Sequence, residues 1–307
     1  MIQINNTVSR DLEAIAKAHF EGVIRYIQSA INKYVPLKQR NFLIDNLQII
    51  IQGKPDELLK INRMYKNHCL RNNTPFNKGI AKSFSYQNFS SRRKYNIYDL
   101  SKTLQINVCP YCNRQYTFTV ISNSKKITRP EFDHFFCKEK YPLLSLSFYN
   151  LIPSCVICNS HLKGRKLFSL KKNLHPYLYG FDTHLKFNYN PFTINGALGN
   201  TDEIEVKLES DKECKNRNKI KGNCDAFHLE EIYQMHKDSV REILRKHYVS
   251  GGKYLKVLAK TFPELNVTTK ELYQIGFGNY YDNIDFHNRP LGKLTKDIFE
   301  QLKFDVI

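Results

Sequence analysis

Two Cys-x-x-Cys pairs constrain this chain more than any other feature. The first is Cys109-Pro110-Tyr111-Cys112 and the second is Cys155-Val156-Ile157-Cys158. Four thiols in two such pairs suit one tetrahedral zinc ion, because each short loop presents both sulfurs to the same centre. Between the pairs lies Glu131-Phe132-Asp133-His134-Phe135, and Asn150-Leu151-Ile152-Pro153-Ser154 leads directly into the second pair. Asn159-Ser160-His161-Leu162-Lys163-Gly164 follows it at once.

Composition bears on what such a centre meets. Of 307 residues, 41% are hydrophobic, enough for a real core in one large domain or two small ones. There is no run of 18 apolar residues, and the first twenty residues carry acidic side chains without a signal-peptide layout, so a cytoplasmic protein with no membrane segment is expected. In a reducing compartment the eight cysteines argue for metal ligation over a disulfide framework. Lys and Arg number 47 against 29 acids, a net charge of +18, which makes nucleic acid the first partner to consider. Between Glu139 and Asp182 there is no acidic residue, while Lys140, Lys163, Arg165, Lys166, Lys171 and Lys172 all fall there. The positive field centres on the cysteine motif.

The chain opens with an amphipathic helix, in which Leu12, Ile15, Ala16, Phe20, Val23, Ile24, Ile27 and Ile31 recur at three- and four-residue steps after a Ser9 cap. Pro36 ends it and begins a second helix, with Phe42, Leu43, Leu47, Ile50 and Ile51 inward and a stop at Gly53. A third starts near Pro55, and His68-Cys69 within it reads as packing. Residues 71–101 read as an ordered connector whose rings (Phe76, Phe84, Tyr86, Phe89 and Tyr95) serve core packing ahead of base stacking, with Arg92, Arg93 and Lys94 available to phosphates. Beyond the cysteine centre, His175 reads as a packing or capping residue. Residues 185–192 and 204–208 alternate like a hairpin, Cys214 and Cys224 read as free thiols, and Phe227 to Tyr248 carries a long helical pattern broken by Gly251-Gly252.

Within the centre, residues 115–120 alternate as a strand, residues 122–126 form a turn, and residues 127–135 return as its partner, ending at Asp133-His134. Neighbours on a strand face opposite ways, so a carboxylate and an imidazole flank one bound phosphate. Residues 143–151 supply a second strand and residues 155–163 a short helix. A hard divalent ion, magnesium or manganese, takes oxygen ligands such as Asp133 and the side-chain carbonyl of Asn159. His134 is the side chain suited to deprotonating water at neutral pH, and Asn150 holds the loop that carries the Asp-His pair.

Asp133-His134, Asn150 and Asn159 directly after Cys158 resemble, in order and spacing, the HNH (ββα-metal) nuclease family in its zinc-stapled branch. The resemblance implies His134 as general base, Asn150 as a structural residue, Asp133 and Asn159 as ligands of the catalytic magnesium or manganese, and Cys109, Cys112, Cys155 and Cys158 as ligands of a structural zinc. It places Lys163, Arg165 and Lys166 toward nucleic acid. A narrower likeness covers residues 109–177: Asp133-His134-Phe135, Tyr141-Pro142, the run from Asn150 to Cys155, and Cys158-Asn159 look like the HNH nuclease subunit of Septu-type anti-phage defence systems, which works with an ATPase partner. Two departures stand out. Cys137 replaces a frequent Pro, and Lys163 sits one residue later than in the commonest Cys-Asn-x-x-Lys-Gly form.

A glutaredoxin-like use of Cys109-Pro110-Tyr111-Cys112 is disfavoured, because a strand pattern follows it and a second Cys pair waits downstream. The expected architecture is mainly α with a small ββα-metal (HNH) core, α+β in class: an N-terminal helical region (1–106), a zinc-stapled nuclease core (107–180), and a β-hairpin with a C-terminal helical region (181–307). The expected function is metal-dependent hydrolysis of nucleic-acid phosphodiesters, DNA ahead of RNA, leaving 5′ phosphate and 3′ hydroxyl ends. The alternative is a non-catalytic, zinc-stabilised nucleic-acid-binding subunit.

Overall fold

The computed structural model describes residues 1–7, 10–69, 78–211, 213–261, 263 and 266–305. It is mainly helical with small antiparallel sheets, as an α+β, mainly α chain should be. Two compact units make it up: one of Asn5–Ile106 and Thr117–Ser169, the other of Met1–Ile4, Asn107–Tyr116 and Leu170–Ile307.

In the first unit, α1 (Leu12–Tyr34) starts at Asp11, whose carboxylate accepts from the Glu13 and Ala14 amides. Ser9, the expected cap, lies outside the described residues. The buried face holds Leu12, Ile15, Ala16, Val23, Ile27 and Ile31, as the spacing predicts, and it also holds His19. The helix expected after Pro36 is divided at Asn46 into α2 (Leu37–Asp45) and α3 (Leu47–Gln52), where the Asn46 side chain caps the Phe42 carbonyl at 2.7 Å. α4 (Pro55–Cys69) follows, with the His68 ring packed 5.9 Å from that of Phe42.

The described part of the expected connector is largely helical: α5 (Lys78–Ser83), α6 (Tyr86–Ser91) and α7 (Ile97–Leu104). Local capping explains the difference, since Ser85 caps α6 and an Asn96/Asp99 capping box starts α7. Phe84 and Phe89 are core residues, and Phe76 lies outside the described residues.

Strand pairing departs from the sequence reading. β1 (Val120–Ser122) and β2 (Lys125–Thr128) form an exposed hairpin around Asn123 and Ser124, both at positive φ. The return strand expected over 127–135 is cut at Arg129-Pro130, because Pro130 has no N–H to give a ladder. β3 (Glu131–His134) therefore finds another partner, the buried β4 (Leu151–Ser154), with Asp133 opposite Ile152 and His134 opposite Leu151. Residues 143–151, expected as a strand, instead make 3₁₀ turns at Pro142–Leu144 and Phe148–Asn150. Side chains take the carbonyls that a ladder would have used: Asn150 donates to Leu144 O at 2.9 Å and His19 to Leu146 O at 2.8 Å.

In the second unit, β5 (Leu185–Pro191) and β6 (Ile204–Ser210) pair in continuous antiparallel register, as their alternation predicts, with the short α8 (Ile194–Ala197) between them. The long helix expected over 227–248 is interrupted. His228 takes φ +48° between α9 (Arg217–Phe227) and α10 (Leu229–Tyr233), and a 3₁₀ turn at Gln234–His236 precedes α11 (Lys237–Val249). Gly251 and Gly252, at φ +58° and +79°, then break the helix as expected. α12 (Tyr254–Thr261), α13 (Thr269–Phe277) and α14 (Gly292–Leu302) complete the unit. No helix among the described residues is long and apolar enough to cross a membrane.

Candidate metal centre and active-site cleft

The first Cys pair sits on a tight knuckle. The Asn113 amide donates to Cys109 O at 2.8 Å and the Cys109 amide to Gln115 O at 2.9 Å, while a bridge between Val108 and Tyr116 closes the loop. Asn113 takes φ +51° and ties the knuckle down through Nδ2 to Phe286 O, and Tyr233 donates its hydroxyl to Cys112 O. In the second pair the Cys158 amide faces Cys155 Sγ at 3.4 Å. The Sγ atoms of Cys109, Cys112, Cys155 and Cys158 all lie within 4.8 Å of one another, and all four residues are buried. Tetrahedral zinc with Zn–S of about 2.3 Å spaces its sulfurs by about 3.8 Å, so the donor set fits such an ion. Among the described residues this is the only cluster of three or more His, Cys, Asp or Glu with that closeness. Cys214 and Cys224 are free thiols.

The second constellation lies wholly in the first unit, around a cleft of about 420 Å³. Asp133, His134, Asn159, Lys163 and Arg165 line it, joined by Tyr86, Arg129, Glu131, Lys138 and Glu139. His134 is fixed by its ring: Nε2 lies 2.9 Å from Ser145 O. A carbonyl only accepts, so Nε2 carries the proton and Nδ1 keeps the lone pair. The Tyr86 ring meets the imidazole edge-on at 5.0 Å. Burial pulls the His134 pKa down to about 4 against the opposing pull of Asp133, so the ring is neutral at pH 7.

Asn150 is fully buried and spends its whole amide on the loop. Oδ1 accepts from the Phe136 amide at 2.7 Å, and Nδ2 donates to Phe136 O and Leu144 O. The loop is also gripped from below, by His19 on Leu146 O and by Ser147 Oγ on Ile50 O. Ser145, whose carbonyl orients His134, thus sits on backbone held by α1 and α3.

Asn159 donates Nδ2 to Glu131 Oε2 at 2.8 Å, and Ser160 donates Oγ to the same oxygen at 2.8 Å. With its nitrogen so engaged, Asn159 has its Oδ1 left as the donor atom for a hard cation. Asp133 is 3% exposed, and Lys163, expected at a phosphate, is instead buried against it. Lys163 Nζ donates to Asp133 Oδ1 at 2.7 Å and to His134 O at 2.9 Å. Arg165 and Lys166 are exposed, and only Arg165 lines the cleft.

No protein-family model, curated protein or solved structure matches the chain. The site must be read from its own geometry.

Several cleft residues escaped the sequence reading. Glu131 had a usable signal, since it stands two residues before Asp133 on one strand and so shares its face. Arg129 and Tyr86 had none. Arg129 holds Ser90 Oγ and Pro130 O through its Nη atoms, while its buried Nε has no hydrogen-bond partner among the described residues. Cys137 donates to Glu139 Oε2 at 2.7 Å; that bond draws the Glu139 carboxyl below its usual range, and burial pushes the thiol up.

Proposed function

We propose that the chain is a metal-dependent endonuclease of the HNH type, hydrolysing phosphodiester bonds in nucleic acid, DNA ahead of RNA. One observation carries the reading: a neutral imidazole, with Nε2–H locked on Ser145 O and Nδ1 left unprotonated, shares a cleft with the oxygens of Asp133 and Asn159 and with Arg129, Lys138 and Arg165. Hard oxygen donors beside an oriented base and a cationic rim suit an anionic ester, and nothing in a structural zinc site requires them.

His134 Nδ1 accepts the proton of the attacking water, and the Ser145 carbonyl keeps the ring in the tautomer that allows it. Asp133 and Asn159 would hold a magnesium or manganese ion, which would supply charge neutralisation for the departing oxygen. Glu131 fixes the Asn159 amide, Asn150 fixes the backbone following His134, and Arg165 and Lys138 attract the phosphodiester. The Cys109, Cys112, Cys155 and Cys158 thiolates would hold a zinc ion in a structural role, expected at one per chain by elemental analysis.

The non-catalytic alternative, a zinc-stabilised nucleic-acid-binding subunit, has one observation in its favour: Asp133 is already neutralised by Lys163. Incubating plasmid and single-stranded RNA with the full chain in magnesium, with and without chelator and with a His134→Ala control, separates the two. Chelator-sensitive nicking or linearisation that His134→Ala loses supports the nuclease, whereas retardation in a gel with no cleavage supports the binding subunit. A role as effector of an anti-phage system with an ATPase partner belongs to the same proposal, tested by co-purification from a native host.

A further inference from the structure

Lys163 is as buried as a core leucine, yet it is a cation, and it stands on the residue best placed to hold a metal. Nζ lies 2.7 Å from Asp133 Oδ1, 2.9 Å from His134 O and 4.9 Å from the centroid of the Phe168 ring, with the side chain 2% exposed. What brings it there is the shape of its segment. Ile157–Lys163 is a π-helix, and the Gly164 amide bonds back five residues to Asn159 O at 2.9 Å. Gly164 closes the turn at φ +49°, in the region that favours glycine. A π turn takes up one residue more than an α turn. The turn leaves Asn159 beside Glu131 and delivers Lys163 to Asp133.

A buried carboxylate demands a counter-charge, and here the protein supplies its own. An ammonium on Asp133 Oδ1 weakens that carboxylate's hold on a divalent ion, because the two cations repel each other across a partly desolvated cleft. Resting on the reading that Asp133 and Asn159 take a divalent cation, we propose that Lys163 is a built-in competitor for that place. It neutralises Asp133 while the ion is absent and is displaced from Asp133 when the ion enters. The displaced ammonium moves into the cleft that it already lines, where a substrate phosphate is its natural partner. Metal loading and the gain of a phosphate-binding cation are thereby one event.

The test reads Lys163 directly. The full-length chain is pulse-labelled with an amine-acetylating reagent with and without Mn²⁺, and acetylation at Lys163 is quantified by peptide mass spectrometry. Asp133→Asn serves as the reference for a released lysine, and Mn²⁺ binding is followed in parallel by loss of the free-ion electron paramagnetic resonance signal. Wild-type Lys163 is expected to be protected without the ion and labelled about tenfold faster with it. Lys163→Met is expected to bind Mn²⁺ about tenfold more tightly, as loss of an adjacent positive charge requires; should that variant fail to fold, the wild-type labelling decides alone. Mn²⁺ binding that depends on Asp133 while Lys163 stays protected overturns the competitor role and leaves the nuclease reading standing. Absence of Asp133-dependent binding together with absence of cleavage overturns both.

Discussion

Two buried Lys–Asp pairs, one in each unit, look alike by distance and burial and differ in everything else. Lys293 and Asp297 lie one turn apart on α14, 2.9 Å from each other, and every contact they make ties structure together: Lys293 Nζ donates to Asp182 O, and Asp297 accepts the Phe187 amide of β5. Lys163 and Asp133 come from a π turn and a strand, 2.7 Å apart, on the wall of a cleft that also holds an oriented imidazole. A pair within one helix is enforced by that helix and serves as a strut. A pair between two elements facing a cleft can open without dismantling either, and that freedom is what a binding site needs.

If the comparison is right, damage to the cleft lowers activity and damage to the strut lowers stability. The largest effect is expected at His134, beside the cleft pair: His134→Ala should cut chelator-sensitive cleavage about a hundredfold to ten-thousandfold with the circular dichroism spectrum unchanged. Cleavage within tenfold of wild type would remove the cleft from the chemistry. Lys293→Met comes next. Leaving Asp297 buried and unpaired should cost about 3–5 kcal/mol in urea unfolding, while the folded fraction keeps wild-type specific activity. Adding Asp297→Leu should restore most of that stability; no recovery would mean that the pair does more than brace α14.

A third buried group sharpens the contrast, because His19 supports the site without lining it. Its pKa is pulled down by burial to about 4, so the fold favours the neutral ring. The contribution is complete above the ordinary value near 6.5 and fades as pH falls from there toward 4, worth about 3 kcal/mol over that span. His19→Gln should therefore narrow the gap between urea midpoints at pH 7 and pH 5; an unchanged gap would place the acid sensitivity elsewhere. The smallest effect is expected at Ser160, whose exposed hydroxyl bonds Glu131. Ser160→Ala should cost no more than about 1 kcal/mol in stability, and a loss of Mn²⁺ affinity beyond threefold would show that Glu131 needs both of its donors.

The same two pairs show what a sequence can disclose. Lys293 and Asp297 are spaced as helix neighbours and could be matched by counting along a helical pattern. Asp133 and Lys163 lie thirty residues apart, and a π turn absent from any periodicity argument joins them. Local signals served well where they dominated, as in the face of α1, the stop at Gly53, the β5–β6 alternation and the cysteine spacing. They failed where one residue decided the outcome: Pro130 cut an expected strand in two, His228 turned an expected long helix, and Ser85 and Asn96 capped helices where polar composition suggested only a connector. Asp133, His134 and Asn159 were legible as a group because strand and helix chemistry is compact there. Tyr86 and Arg129 were not, since they reach the cleft from α6 and from the break before β3.

The grip on residues 141–150 bears on whether the segment that lines the cleft is portable. His19 and Ser147 join that loop to α1 and α3, and the Ser145 carbonyl within it sets the tautomer of His134. A fragment of residues 107–180 would contain every candidate ligand and His134 but neither His19 nor Ile50. Such a fragment could be spliced into another protein and still present the right residues in the right order, yet the loop whose Ser145 carbonyl orients the imidazole would have lost the grip of His19 and Ile50. The N-terminal helices are therefore not an appendage to a self-sufficient cassette. Substitutions on their inner face, about a hundred residues upstream, would loosen the loop that orients His134.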